Sequence, residues 1–187
     1  MNIFNEHVKK ICYGFGSIDK EQIEKAVSVI SDAILNNKKI LTCGNGASAS
    51  ISQHWACDYF KGCSGKYNPQ VFSISTNIPL LTAIANDISY DEIYSYQIER
   101  MAKKDDVLIT ISSSGNSPNV VSAIKKAKDM GMKTISLTGF SGGKCRELSD
   151  ISIHVDINEY EATEDVHQAI MHIIAKTLKD QFKDIIP

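Results

Sequence analysis

The chain has 187 residues, 43% of them hydrophobic and 22% charged, a composition that fits one ordinary globular domain with a sizeable core and leaves no room for extensive disorder. Its formal net charge is −2, and its 20 basic residues are scattered, so there is no electrostatic footprint for nucleic acid. The N-terminal stretch lacks the apolar core of a secretory signal and no apolar run is long enough to span a bilayer, so the expected location is the cytoplasm, with no membrane partner.

Five cysteines, at 12, 43, 57, 63 and 145, form an odd set without a CxxC pair. They read as reduced and mostly structural, with Cys63 in "GCSG" the one expected at the surface. A leading helical stretch precedes "SIDKEQIEKAVSVISDAILNNKK", where Asp19 can cap a helix and Gln22 follows three residues on. Ile23, Val27, Ile30 and Ile34, with Ala26 and Ala33, follow helical spacing and form one apolar face. An apolar run at 39–43 then leads through the glycine turn "GNGASA" into a helix reaching about Phe60. A strand is predicted at 71–75, a helix over "IPLLTAIAND", and another helix over 90–102. "DVLITIS" (106–112), "KTISLTG" (133–139) and "ISIHVD" (151–156) complete five strands, and a long helix runs from about Glu164 to Phe182. Strands alternating with helices imply a parallel sheet covered on both faces, a three-layer α/β/α sandwich.

In such a sheet ligands collect at the carboxyl ends of the strands. Here those ends carry "GNGAS", "STN", "SSSGNS" and "TGFSGG", all small and rich in hydroxyls or glycine. Ser117 is placed to cap a helix and Pro118 to open it, so free backbone N–H groups and the helix dipole would favour an anion in this turn. Ser112, Ser114 and Ser117 can donate to phosphate oxygens, whereas an ordinary capped turn needs one such serine. Gly44, Gly46 and Ala49 match a dinucleotide fingerprint, yet "VFSIS" ends in Ser75 with no acidic residue to hold a ribose. A nicotinamide cofactor is therefore disfavoured. A plain tight turn and a close backbone approach to a ligand both remain open for these glycines, with Asn45 adding an amide.

Two helices hold the remaining chemistry. His54 and Asp58 lie four apart on one face; Glu164, Gln168 and His172 also advance by four, with His167 to one side. A histidine and a carboxylate from each helix can bind a divalent metal, and nitrogen with oxygen suits zinc. Against this, His54 and Asp58 can be a surface pair and His172 a core histidine between Met171 and Ile173. Glu164 and His172 are also separated by roughly 12 Å along a regular helix. Trp55 and Tyr59 flank the metal face and read as interface or core as readily as substrate contacts.

The segments "CGNGASASISQHWACD", "AIANDISYDEIYSYQ", "ITISSSGNSPNVVSAIKKAKDMGMKTISLTG" and "EDVHQAIMHII" resemble the sugar isomerase (SIS) domain, in its phosphoheptose isomerase branch. The resemblance implies a flavodoxin-like five-stranded sheet, a single SIS domain over 1–187 with a helical extension to about residue 37, and a homotetramer with active sites shared between subunits. It also implies conversion of a ketose phosphate to an aldose phosphate through a cis-enediol, with Zn2+ and no nucleotide cofactor. Motif by motif, Ser112, Ser113, Ser114 and Ser117 would hold the phosphate, while Asn45, Gly46, Ala47, Asn86 and Asp87 would line the sugar site. His54, Asp58, Glu164 and His172 fall at the metal positions, and Asp58 and His172 at those of the acid-base pair. The chain departs from the family pattern at Asp58, where glutamate is usual, and at Glu164, where glutamine is usual. It also has "GNGAS" for "GNGGS", and Lys61-Gly62 for a glycine-arginine pair. A compensating exchange would make Glu164 the base and leave Asp58 a ligand. A non-catalytic SIS-domain sensor of sugar phosphates, or a protein-binding regulator, is the alternative reading.

Overall fold

The computed structural model describes residues 2–62 and 67–183, which places Cys63 outside the described residues. Its elements are α1 (Asn2–Ser17), α2 (Lys20–Leu35), β1 (Lys39–Gly44), α3 (Ala47–Gly62), β2 (Gln70–Ser73) and α4 (Ile78–Asp87). A 3₁₀ turn (Tyr90–Glu92) precedes α5 (Ser95–Met101), then β3 (Val107–Ser112), α6 (Pro118–Asp129), β4 (Lys133–Thr138), α7 (Gly143–Leu148), β5 (Ile151–His154) and α8 (Tyr160–Lys183). The five strands are parallel in the order β2-β1-β3-β4-β5. The order reverses between β1 and β3, and at such a switch point the diverging loops leave a crevice above the sheet.

Each face of the sheet has its own apolar layer. On one side α2, α3 and α8 bury Ile30, Trp55, Tyr59, Ile170 and Leu178 against Ile109, Ile135 and Ile153. On the other, α4 to α7 bury Ile84, Ile98, Val120, Ile124 and Cys145 against Leu41, Cys43 and Leu108. β3 lies in the middle and is buried along its whole length, which is why its sequence is a continuous apolar run rather than an alternating one. The α2 face forms as its spacing predicts, with Ala26, Val27, Ile30, Ala33 and Ile34 buried. Asp19 caps α2 by accepting from the Glu21 N–H at 3.0 Å, whereas the Gln22 carboxamide turns away to accept from the Ser152 N–H.

Three boundaries differ from the sequence reading. β2 stops at Ser73, and Ser75 turns its hydroxyl to the Gly44 carbonyl at 3.2 Å. The helix predicted over 90–102 breaks into a 3₁₀ turn and α5, with the Tyr90 and Tyr94 hydroxyls both donating to Asn45 Oδ1. α8 begins at Tyr160, so Glu164 sits inside the helix rather than at its start. Cys43 and Cys145 are buried, and burial pushes the Cys145 thiol up to about 12; Cys12 and Cys57 are exposed. Trp55 and Tyr59 are fully buried and stack edge to face, so both belong to the core.

Candidate functional site

The crevice above β1 and β3 is built from their two turns. After β3 the chain reverses through Ser113–Ser117 and enters α6 at Pro118. Gly115 makes this possible. Its φ is +66°, and a Cβ there would lie 1.9 Å from the Gly142 carbonyl oxygen. Ser117 occupies the N-cap of α6 but makes no side-chain cap bond, and the Ser112 hydroxyl donates to it at 3.5 Å. Among the described residues the Ser113 hydroxyl is buried with no partner, a cost that a bound acceptor would relieve. These serines line a cavity of about 120 Å³ together with Ser114, Asn45 and Ser48. Tyr160 and Glu164 close it from α8, and among the described residues no lysine, arginine or histidine lines it.

Asn45 is the fixed point of the β1 turn. Its carboxamide exchanges two hydrogen bonds with Asn119 at 2.9 and 2.8 Å and accepts from Tyr90 and Tyr94 at 3.2 Å each. Burial pushes the Tyr94 phenol well up, so it stays a donor. Gly46 has φ +54° and open space where a side chain would stand, and Ala47 opens α3 beside it. Asn86 and Asp87 bond to each other at the end of α4 and line neither the cavity nor the histidine cluster.

That cluster forms where α3 and α8 lie side by side. His54, Asp58 and His172 each bring one ligand atom to within 4.8 Å of the others, all from a single chain. His54 Nε2 stands 3.4 Å from Asp58 Oδ1, and His172 Nε2 stands 3.6 Å from Asp58 Oδ2. These distances are at or beyond the limit for a hydrogen bond. They match the spacing of neighbouring atoms around a tetrahedral zinc ion, roughly 3.3 Å for bonds of about 2.0–2.1 Å. The two imidazoles meet at a centroid distance of 5.0 Å and an angle of 80°. His172 is 46% exposed at its side chain and is not a core histidine. The residues present thus fit a borderline-soft cation.

Glu164 stays out of this group. Eight residues of regular helix hold it roughly 12 Å from His172 along the axis, and its carboxyl joins the serine cavity instead. Its pKa is raised, first by burial and then by Glu161 and Asp165. Gln168 occupies the intervening turn, with its amide nitrogen 2.9 Å from His54 Nδ1 and 3.4 Å from His172 Nε2. Sequence reasoning placed Gln168 on the right face without giving it a role, and it missed Asn119, Tyr90 and Tyr94 as the supports of Asn45. The two successive i, i+4 steps from Glu164 through Gln168 to His172 were the available signal for Gln168; nothing local marks the others.

A family model described as the SIS domain matches residues 3–139. The phosphoheptose isomerase of Helicobacter pylori strain P12 is 40% identical over 168 residues, covering 87% of this chain and 85% of that protein. The solved phosphoheptose isomerase of Neisseria gonorrhoeae superposes with a TM-score of 0.89 at 29% identity, covering 96% of each chain. That of Francisella tularensis superposes equally well, with a TM-score of 0.89 at 26% identity over 96% of this chain and 95% of the other. The chain belongs to the SIS-domain family, in its phosphoheptose isomerase branch.

Proposed function

We propose that the chain is a cation-assisted ketose/aldose isomerase of sugar phosphates, with phosphoheptoses, the substrates its relatives are named for, as the first candidates. One observation carries this reading: a single face of α8 delivers Glu164 to the serine cavity and His172 to the histidine cluster, with Gln168 between them. Each step is about 6 Å, so a sugar whose phosphate lies on Ser112, Ser113, Ser114 and Ser117 can reach the cluster with its carbonyl end. Asn45, Gly46 and Ala47 border the sugar, and Glu164 meets its hydroxyls beside the phosphate.

His54, Asp58 and His172 would hold Zn2+, which when bound polarises the substrate carbonyl. Asp58 takes the proton from the carbon next to the carbonyl and returns it to the neighbouring carbon, and His172 moves the proton between the two oxygens through the cis-enediol. Glu164 remains the alternative base.

The working form is a cytoplasmic homotetramer of single SIS domains, each with α1 and α2 as its helical extension. Ile3, Phe4 and Val8 on α1, and Ile78, Ile88 and Tyr90 around α4, support an assembly because they are exposed apolar groups on two separate surfaces. In that assembly Asn86 and Asp87 reach a neighbour's site. The test is incubation with pentose, hexose and heptose phosphates in heavy water, with deuterium expected at the carbon next to the carbonyl. No uptake with any of them would leave a non-catalytic sugar-phosphate sensor.

A further inference from the structure

Gln168 sits where it can decide which nitrogen of His54 carries the proton. A neutral imidazole has one protonated nitrogen and one bare nitrogen, and a metal takes the bare one. Nε2 of His54 is the nitrogen that faces Asp58, at 3.4 Å, so it must be bare for the centre to form. The proton then belongs on Nδ1, and whatever stands in hydrogen-bond range of Nδ1 must accept it. That neighbour is the Gln168 amide, at 2.9 Å.

With the amide nitrogen toward His54, the proton would be driven onto Nε2, the wrong side. A half-turn of the terminal amide puts Oε1 in the same place at almost no steric cost, and the 3.4 Å from this position to His172 Nε2 is too long for a strong hydrogen bond, which leaves that nitrogen to the cation. We propose that Gln168 is the positioning residue of the cation centre: through Oε1 it accepts the Nδ1–H of His54 and fixes the tautomer whose Nε2 faces Asp58 and His172. The inference rests on the cation centre described above. It assigns to one residue the outer hydrogen bond that metal-binding histidines regularly make, and it explains why a half-buried glutamine stands between two histidines on the outward face of α8.

The test uses the full chain loaded with Zn2+, titrated against a chelator of known affinity, together with long-range ¹H–¹⁵N spectra of its histidines. In the unaltered protein His54 is expected to be protonated at Nδ1 and metal-bound at Nε2. Gln168→Leu should weaken zinc binding by roughly 10- to 100-fold, with Gln168→Ala as the second variant if the leucine form does not fold. Gln168→Glu, which can only accept, should hold zinc nearly as tightly as the unaltered protein. The inference is overturned by a Gln168→Leu protein that binds as tightly as the original, by a Gln168→Glu protein that weakens as much as Gln168→Leu, or by a bare Nδ1 in the loaded protein. If the unaltered chain binds no zinc, the centre itself falls, a result distinct from a loaded centre indifferent to Gln168.

Discussion

The serine cavity and the histidine cluster lie along the same helix, yet they are opposite kinds of site. The cavity is lined by hydroxyls on buried or half-buried serines and, among the described residues, by no cationic side chain; the cluster is made of ionisable groups, with both histidines exposed. A turn at a strand end can present neutral donors to an anion without burying a charge. Proton transfer near a cation instead needs groups whose charge can change, and these are cheaper to keep near water. The two are separable by mutation if each does its own task. Asp58→Ala or His172→Ala should lower the isomerisation rate by roughly 10²- to 10⁴-fold while leaving the affinity for inorganic phosphate unchanged. Deuterium exchange and calorimetric titration measure the two quantities. A variant in which both fall together would mean that the cavity and the cluster are one site without division of labour.

The inner and outer faces of α8 differ as sharply. His167 precedes Gln168 but points into the core, fully buried, and neither ring nitrogen makes a well-formed hydrogen bond; the Thr138 backbone gives partial relief. Burial lowers its pKa from 6.5 to about 4, so the folded protein keeps it neutral. The unfolded chain takes up the proton first as pH falls. The stability tied to a neutral His167 is therefore intact above about pH 6.5 and is lost toward pH 4, by on the order of 3 kcal/mol. Urea unfolding at pH 7 and pH 4.5 should show a steeper acid loss for the unaltered protein than for His167→Leu. Equal losses would place the acid sensitivity elsewhere.

Within the cavity, Ser117→Ala removes one donor to a charged acceptor. It should weaken phosphate-ester binding by about 1.5–3 kcal/mol, or roughly 10- to 100-fold in KM, with kcat unchanged. A fall in kcat instead would tie the serines to the chemistry rather than to binding.

The sequence carried the cavity better than the cluster. A residue at the helix cap and a proline at the first helical position are local features, and Ser117 and Pro118 stand where the sequence put them, although the Ser117 hydroxyl makes no cap bond. The parallel sheet also follows from alternating elements, because parallel strands need crossovers, while its order β2-β1-β3-β4-β5 does not. The cluster depends on how α3 packs against α8, which no local pattern specifies. Spacing along α8 offered Glu164, Gln168 and His172 on equal terms, and only the neighbouring helix separates them: His54 stands opposite Gln168 and His172, while Glu164 faces the serine turn. The supports of Asn45 come from α6, the residue that caps α5 and the 3₁₀ turn, as far as 74 residues away in sequence, and were beyond reach for the same reason.

Glu164 gives the smallest effect and the most specific one, because among the described residues it is the one carboxyl group lining the serine cavity. Its folded pKa is raised by burial, then by Glu161 and Asp165, so the fold favours the protonated form. The stability it contributes is present below its ordinary value and disappears as pH rises through the raised one. Glu164→Gln should therefore match or slightly exceed the unaltered protein in stability at pH 7, and lose that margin in acid. A bound dianion with no cation beside it sharpens the same preference, since two negative charges then share one cavity. Sulfate keeps its charge throughout this range and makes a clean probe. Its binding should draw a proton onto Glu164 and weaken as pH rises through the raised pKa, while Glu164→Gln binds sulfate with a flatter pH dependence. Titration in two buffers of different ionisation heat counts the protons directly. No uptake in the unaltered protein would mean that the carboxyl turns away when the anion enters, and that the cavity holds its ligand by hydroxyls and backbone alone.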